Sequence, residues 1–254
     1  MKTLYELKPF LDQKVKEFNT IDFIENDPIS IPHLFSKPED IEISGFLTAM
    51  ISWGQRPVIL KNAAKLMNAM EYAPHEFILH AKPTDMKIFR SFVHRTFNGD
   101  DAVYFLKSLQ NIYRQHGSLG TLMKDLAHKY SFPEAIHHFR KEVFKQKTEP
   151  RTMKHIGDPL KNSACKRLMM FMRWMIRSDA QGVDFGIWKI SPSLLYCPLD
   201  VHSGRVARQL GLLHRRQDDW KAVEELTSNL RLLDAGDPVK YDFALFGLGV
   251  SGWE

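Results

Sequence analysis

The predicted fold is decided by two stretches, GDPLKNSACKRLMMFMRWMIR at residues 157–177 and PLDVHSGRVARQLGL at residues 198–212. The first begins with a Gly-Asp-Pro turn and continues as an apolar helix with Lys161 and Lys166 near its start. The second places Asp200 in front of a basic helix. A lysine that loses its proton in an apolar pocket and a carboxylate opposite it form a nucleophile and a general base. The two stretches therefore predict a lysine and aspartate site.

Length and composition are those of a folded globular protein. The chain has 254 residues, of which 44% are hydrophobic and 11% aromatic, enough for one large or two small domains with a buried core. Its net charge of +5 and pI of about 9.1 suit a polyanionic partner. Such an excess is also common in proteins that bind no nucleic acid, so charge alone leaves the partner open.

The cysteines and the apolar runs indicate a cytoplasmic protein. Cys165 and Cys197 lack the CxxC spacing of zinc or iron–sulfur ligands and of a disulfide framework, so no metal and no cofactor are expected. No apolar run reaches about 18 residues, and charges interrupt the N-terminal stretch MKTLYELKPFLDQK. Neither a membrane span nor export is predicted.

Helical periodicity extends over most of the chain. Residues 2–18 carry apolar side chains at three- and four-residue spacing, and residues 84–145 continue the same pattern. Segments rich in proline or polar residues interrupt it at residues 25–38 and 146–155. No stretch alternates apolar and polar residues over any length, so the sequence predicts an all-α protein.

The aspartate block carries a family resemblance. It is similar to a pattern of the helix-hairpin-helix superfamily of base-excision DNA glycosylases, in which an aspartate precedes a histidine and a helix containing arginine and valine. The matching residues are Pro198, Leu199, Asp200, Val201, His202, Arg205 and Val206. The resemblance implies that Asp200 is the catalytic carboxylate and that His202 and Arg205 contact nucleic acid. On local sequence alone, the favoured alternative is that Asp200 is an ordinary N-cap.

The hairpin of that superfamily is altered here. Its backbone amides normally hold a DNA phosphate, but Asp158 and Leu160 stand where its glycines are expected, and Asn162 stands where its lysine is expected. Lys166 lies four residues beyond Asn162, so a continuous helix would place both on one face. The resemblance then implies that Lys166 is the nucleophile and that Asn162 and Ser163 contact nucleic acid.

Within that superfamily, the arrangement of these residues most resembles that of the archaeal 8-oxoguanine glycosylase branch. It also lacks the glycine-rich hairpin and has a longer connection from its lysine to its aspartate; here Asp200 follows Lys166 by 34 residues. Lys161 remains the alternative nucleophile. The blocks KRLxMFxRWM and PLDxHxGRVAR also resemble those of an uncharacterised bacterial family of unknown function.

A second matching segment is the turn SWGQ at residues 52–55. It resembles a turn of the endonuclease III branch whose glutamine fills the space left by an extruded base. The resemblance implies nucleic-acid contacts by Gln55 and the adjacent Arg56; alternatively, Gln55 is an ordinary residue at a helix start. The segment FRSFVHRTFNG mixes basic and aromatic residues, which suits a phosphate-contacting edge but also occurs at solvated helix ends.

The resemblance implies two helical domains with the substrate cleft between them. The expected domains are a helical barrel over residues 40–145 and a second domain formed by residues 1–39 plus 146–254. The chain ends at Glu254 without the four-cysteine loop of related branches, so no iron–sulfur cluster is expected.

The implied function is that of a DNA repair glycosylase and AP lyase. Such an enzyme removes a damaged base, for example an oxidised purine, from double-stranded DNA through a lysine Schiff base. The alternative is a non-catalytic nucleic-acid-binding or scaffolding protein that kept the fold and lost the activity. The altered hairpin favours this alternative, whereas the presence of both Lys166 and Asp200 favours the enzyme.

Overall fold

Helices dominate the computed structural model, which describes residues 4–253 and is 65% helix and 3% strand. This confirms the all-α prediction. The helix predicted at residues 2–18 is found at Leu4–Phe18 (α1), while residues 2 and 3 lie outside the described part. Within residues 4–253, no helix combines the length and apolar character needed to cross a bilayer.

The chain divides into two compact units, one formed by Met1–Phe23 with Asp158–Glu254 and the other by Ile24–Gly157. The second unit is longer at both ends than the predicted barrel over residues 40–145. At its N-terminal end, short 3-10 helices at Pro28–Ser30 and Pro32–Leu34 pack against the following helix. At its C-terminal end, Arg140 donates hydrogen bonds to the carbonyls of Met153 and Ile156. These contacts draw the connecting segments into the unit.

The unit Ile24–Gly157 is built on a helix that is buried over most of its length. Its elements are α2 (Asp22–Glu25, which begins before the boundary), α3 (Pro38–Met50), α4 (Arg56–Ala69), α5 (Pro74–His80), β1 (Val93–His94), β2 (Phe97–Asn98), α6 (Gly99–His116), α7 (Leu119–Lys129), α8 (Phe132–Val143) and α9 (Pro150–Met153). The side chains of α3 are buried from Asp40 to Met50. Its Phe46 packs edge-on against Phe105 and Phe139, whose ring centroids lie 5.9 and 6.3 Å away.

The buried part of α3 contains a glutamate, Glu42, whose carboxylate is hydrogen-bonded inside the unit. Glu42 accepts hydrogen bonds from the amides of Leu119 and Gly120 at 2.9 and 3.1 Å, and from the hydroxyl of Tyr113. The two amides belong to the first turn of α7, where donors have no partner within the helix. Glu42 therefore stabilises the start of α7 from inside the core.

The unit Met1–Phe23 plus Asp158–Glu254 contains α1 and four later helices, α10 (Lys166–Ile176), α11 (Val201–Gln209), α12 (Trp220–Leu233) and α13 (Tyr241–Val250). The apolar helix α13 packs against both α1 and α11. A Cβ at Gly247 would lie 2.3 Å from the ring of Phe18, and one at Gly249 would lie 2.8 Å from Cβ of His202. Gly247 therefore permits the close approach of α13 to α1, and Gly249 permits its close approach to α11.

Candidate active site

Lys166 and Asp200 meet although 34 residues separate them. Lys166 is the first residue of α10, and Asp200 is the N-cap of α11. The Lys166 Nζ atom lies 3.4 Å from Oδ2 of Asp200, and their side chains are 32% and 20% exposed. The two groups are thus paired and still reachable from solvent.

The two oxygens of the Asp200 carboxylate have different partners. Oδ1 accepts hydrogen bonds from the amides of His202 and Ser203 at 2.9 and 3.0 Å, and the Asp200 amide donates to Oγ of Ser203 at 3.0 Å. This is a capping box. It leaves Oδ2 for Lys166, so Asp200 is an N-cap and a member of a charged pair at once.

The surroundings of Asp200 favour its charged form. Burial alone would raise the pKa of this carboxyl, but the ammonium of Lys166 and the amides of Ser203 and His202 outweigh burial and hold the pKa below its ordinary value. Asp200 is therefore an anion at neutral pH, as an electrostatic or general-base role requires.

The backbone before Lys166 differs from the continuous helix that was predicted. A 3-10 helix at Pro159–Lys161 ends at Asn162, which has a left-handed backbone with φ 62°, and Cys165 is left-handed again with φ 51°. The expectation that Asn162 and Lys166 share one helix face is therefore wrong. Lys166 reaches Asp200 because it is at the start of α10.

Asn162 and Ser163 hold the start of α12. The Asn162 side-chain amide donates to Oδ2 of Asp219 at 3.0 Å, and its backbone carbonyl accepts from the amide of Trp220 at 3.2 Å. Ser163 forms an isolated antiparallel bridge with Asp219. Because these groups bond within the protein, their predicted contact with nucleic acid would require an exchange of partners.

The remaining predicted residues of this unit, Lys161, His202 and Arg205, have separate environments. Lys161 is exposed, and among the described residues no carboxylate lies within 4 Å of its amine. The guanidinium of Arg205 donates to the carbonyls of Trp253 at 2.8 Å and Gly249 at 3.2 Å, which satisfies the end of α13. His202 is exposed, and its ring lies nearly perpendicular to the ring of Phe246, with the centroids 6.2 Å apart.

Gln55 and Arg56 belong to the other unit. Gln55 is the exposed N-cap of α4, with extended backbone and no hydrogen bond from its side chain to the helix. Its side chain is therefore not used to stabilise the helix start. Arg56 begins the helix and is half-buried.

A buried ionic network adjoins the pair and was not anticipated from the sequence. Arg173 of α10 donates to Oδ1 of Asp184 at 3.2 Å and to Oδ2 of Asp242. Arg177, one turn further, donates to Oδ2 of Asp184 at 3.0 Å. Two more aspartates complete it by pairing with Arg177: Asp179, and Asp237 at 2.9 Å. In the sequence, the signal for such a network is two arginines four residues apart in an otherwise apolar segment.

Asp242 connects this network to the lysine and aspartate pair. Its carboxyl is buried, and burial raises its pKa to about 6; the charge of Asp200 adds to the rise, while Arg173 and Lys166 oppose it. The network has four aspartates for two arginines, so the positive charges compensate only part of the cost of burying the carboxylates.

We expect the raised pKa of Asp242 to contribute stability that decreases as the pH rises. The proton bound by the folded state is fully stabilising below the ordinary carboxyl pKa of 3.8, and this contribution is lost as the pH passes about 6. A rise of two pKa units corresponds to about 3 kcal/mol. Urea unfolding at pH 4 and pH 7 should therefore show the wild type losing about 3 kcal/mol relative to Asp242→Asn between the two pH values. Equal changes in both proteins would contradict the assignment.

Comparison with known proteins adds only the family. No curated protein and no solved structure gives a match. A single family model covers residues 27–251, which include Gln55, Lys166, Asp200 and Asp242. The chain therefore belongs to the family described as a protein of unknown function, DUF2400.

Proposed function

We propose that this protein is a cytoplasmic DNA repair glycosylase with lyase activity, which removes a damaged base from double-stranded DNA. A DNA-glycosylase-like fold is part of the proposal. The observation that carries it is the separation of 3.4 Å between the Lys166 amine and Oδ2 of Asp200. A lysine nucleophile and an ionised carboxylate at this distance are what Schiff-base chemistry at a sugar requires.

The geometry supports separate roles for the two residues. Asp200 is an anion whose Oδ1 is held by the cap, so Oδ2 is fixed in direction and can stabilise positive charge that develops on the sugar. Lys166 is partly exposed, which leaves its amine accessible to a large substrate. In its ion pair the amine must lose a proton before attack, and Oδ2 of Asp200 is an acceptor within reach.

The proposed reaction is a substitution at C1′ followed by elimination. The bond between C1′ and the base nitrogen breaks with its electron pair, the departing base takes up a proton, and Lys166 Nζ forms a bond to C1′. Opening of the sugar ring moves the C1′–O4′ electron pair to O4′, which is protonated, and leaves an iminium ion. Loss of a 2′ proton then expels the 3′ phosphate and cleaves the strand.

We expect wild-type protein to form a covalent adduct with one member of a panel of lesion-bearing duplexes when borohydride is present. Borohydride delivers hydride to the iminium carbon and converts it to a stable amine between protein and DNA. Denaturing electrophoresis of labelled duplexes measures the adduct, and an undamaged duplex of the same sequence is the control. Absence of an adduct with every lesion and with an abasic site would overturn the proposed chemistry.

The second candidate is a non-catalytic nucleic-acid-binding or scaffolding protein. One observation favours it: the Lys166 side chain keeps 32% exposure and pairs with Asp200, whereas an activated lysine was expected to be removed from water. In that case the pair stabilises the starts of α10 and α11 only. Duplex binding without any adduct would support this candidate.

A further inference from the structure

The turn Trp53–Gln55 and the β1–β2 hairpin are joined into one rigid surface of the unit Ile24–Gly157. The buried ring of His94 lies between them, with Nδ1 2.9 Å from the Asn62 side-chain amide and Nε2 3.0 Å from the carbonyl of Trp53. The amide nitrogen of Asn62 can only donate and the carbonyl of Trp53 can only accept, so both contacts fit the tautomer of His94 that carries its proton on Nε2. The indole of Trp53 also packs edge-on against this ring, at 5.0 Å.

Arg95 at the hairpin tip lies across the turn. Its backbone is left-handed, with φ 54°, and its side chain covers Gly54, where a Cβ would be 3.2 Å from both Cδ and Nη1 of Arg95. Gly54 itself has φ 104°, a conformation that side-chain-bearing residues rarely adopt. The guanidinium of Arg95 is thereby placed beside the turn that presents Gln55.

Two further arginines flank the same hairpin. Arg151 makes a two-point contact with the buried carboxylate of Asp101, at 2.8 and 2.9 Å, and donates to the carbonyl of Thr96 at 3.3 Å. Arg90 belongs to the segment that packs on α6, since a Cβ at Gly99 would lie 2.1 Å from the Arg90 carbonyl oxygen. The arginine hairpin is defined here as Arg90, Arg95 and Arg151 around residues 93–98.

Its positive charge is only partly balanced. Arg90 and Arg95 are exposed, and among residues 4–253 neither has a carboxylate within 4 Å. Arg151 is paired with Asp101. Asp100, at the start of α6, is an exposed negative charge in the same part of the chain. Exposed guanidinium groups without a carboxylate partner are suited to phosphate, which they bind through two parallel N–H donors.

We propose that the arginine hairpin binds backbone phosphates of double-stranded DNA, with Arg90 and Arg95 as the phosphate ligands. Arg151 orients the hairpin through Thr96, and the contacts position the duplex without reading its sequence. The identity of the polyanion as DNA rests on the proposed function, whereas the phosphate contacts rest on the geometry of the hairpin.

The test is the salt dependence of binding to an undamaged duplex. Each arginine that no longer pairs with a phosphate should lower the slope of log K against log salt by about 0.9. For Arg90→Ala/Arg95→Ala, the weakening between 50 and 200 mM salt should therefore be about 12-fold smaller than for wild type. Fluorescence anisotropy measures the slope, and an unchanged thermal unfolding midpoint confirms that the variants fold.

Arg114→Ala is the control, because it removes an exposed arginine that lies away from the hairpin. Arg114 is also exposed, but it lies 15 residues along α6 from Gly99, about 22 Å from the hairpin end of the helix. Its slope should equal that of wild type. A wild-type slope in the double variant, an equal drop in Arg114→Ala, no duplex binding at 50 mM salt, or tighter binding to duplex RNA would each overturn the inference.

The outcomes separate this inference from the proposed chemistry. If the double variant forms the adduct and keeps the wild-type salt slope, the glycosylase proposal is supported and the hairpin contacts with phosphate are contradicted. Conversely, if the double variant has a reduced slope and the wild type forms no adduct on any lesion, the hairpin is supported as a DNA-binding surface and the proposed lyase activity is contradicted.

Discussion

Lys166→Gln is expected to abolish the borohydride-trapped adduct completely, because glutamine has no amine that can form an iminium ion with the sugar. The same substitution at Lys161 should leave adduct formation at the wild-type level. Lys161 is exposed on the preceding 3-10 helix, and the pairing with Asp200 belongs to Lys166. Loss of the adduct in Lys161→Gln, with retention in Lys166→Gln, would reverse the assignment.

Asp200→Asn should separate chemistry from binding in the same assay. Asparagine can still accept the cap hydrogen bonds of His202 and Ser203, so α11 should remain in place. It removes the negative charge that faces Lys166 at 3.4 Å. We expect base release to slow by about 10²- to 10⁴-fold with nearly unchanged duplex affinity. Equal losses of release and affinity would indicate a binding role instead.

Asp184→Asn is expected to destabilise the protein by about 3–5 kcal/mol, because it breaks a buried ion pair from one side. The Asp184 side chain is 0% exposed and accepts from both Arg173 and Arg177, at 3.2 and 3.0 Å. An amide nitrogen in place of one oxygen would face a guanidinium donor. Urea unfolding at pH 7 measures the loss.

Glu17→Gln is the control for this prediction, because it also neutralises one carboxylate of a salt bridge. Glu17 pairs with Lys14 at 2.7 Å on the surface of α1, where its side chain is 49% exposed. Exposed pairs contribute about 0–1 kcal/mol. Similar losses in the two variants would mean that burial of the network does not strengthen it.

The role of Asp200 as a cap could be predicted from sequence because it depends only on neighbours in the chain. Ser203 lies three residues downstream, and their reciprocal bonds form whenever the helix starts there. The distance to Lys166 could not be obtained in this way. It depends on the path of 34 residues, which the pattern of residue types does not determine.

Asn162 shows why the local pattern failed before Lys166. Asparagine tolerates the left-handed conformation, and its side chain competes for backbone partners. Here Asn162 is left-handed and bonds to Asp219, which lies 57 residues away in the chain, and the helix begins only at Lys166, after a second left-handed residue, Cys165. Four-residue spacing puts two side chains on one face only in a continuous helix, which this distant contact prevents.

In the arginine network, too, the sequence shows where the arginines lie but does not show which residues pair with them. Arg173 lies in α10 and Arg177 directly follows the last residue of this helix, but their four aspartates come from the following connection and from the segment before and within α13. The exposure of the Lys166 amine also depends on how these segments pack. Burial and pairing of this kind arise from tertiary structure.

The position of Asp200 at a helix start ties the charged pair to local opening of the protein. If the first turn of α11 frays, the amides of His202 and Ser203 release Oδ1, and the carboxylate becomes free to rotate away from Lys166. Fraying at the other end of α11 has no such effect. The pair therefore depends on the opening free energy of one helical turn, which can be far smaller than the free energy of global unfolding.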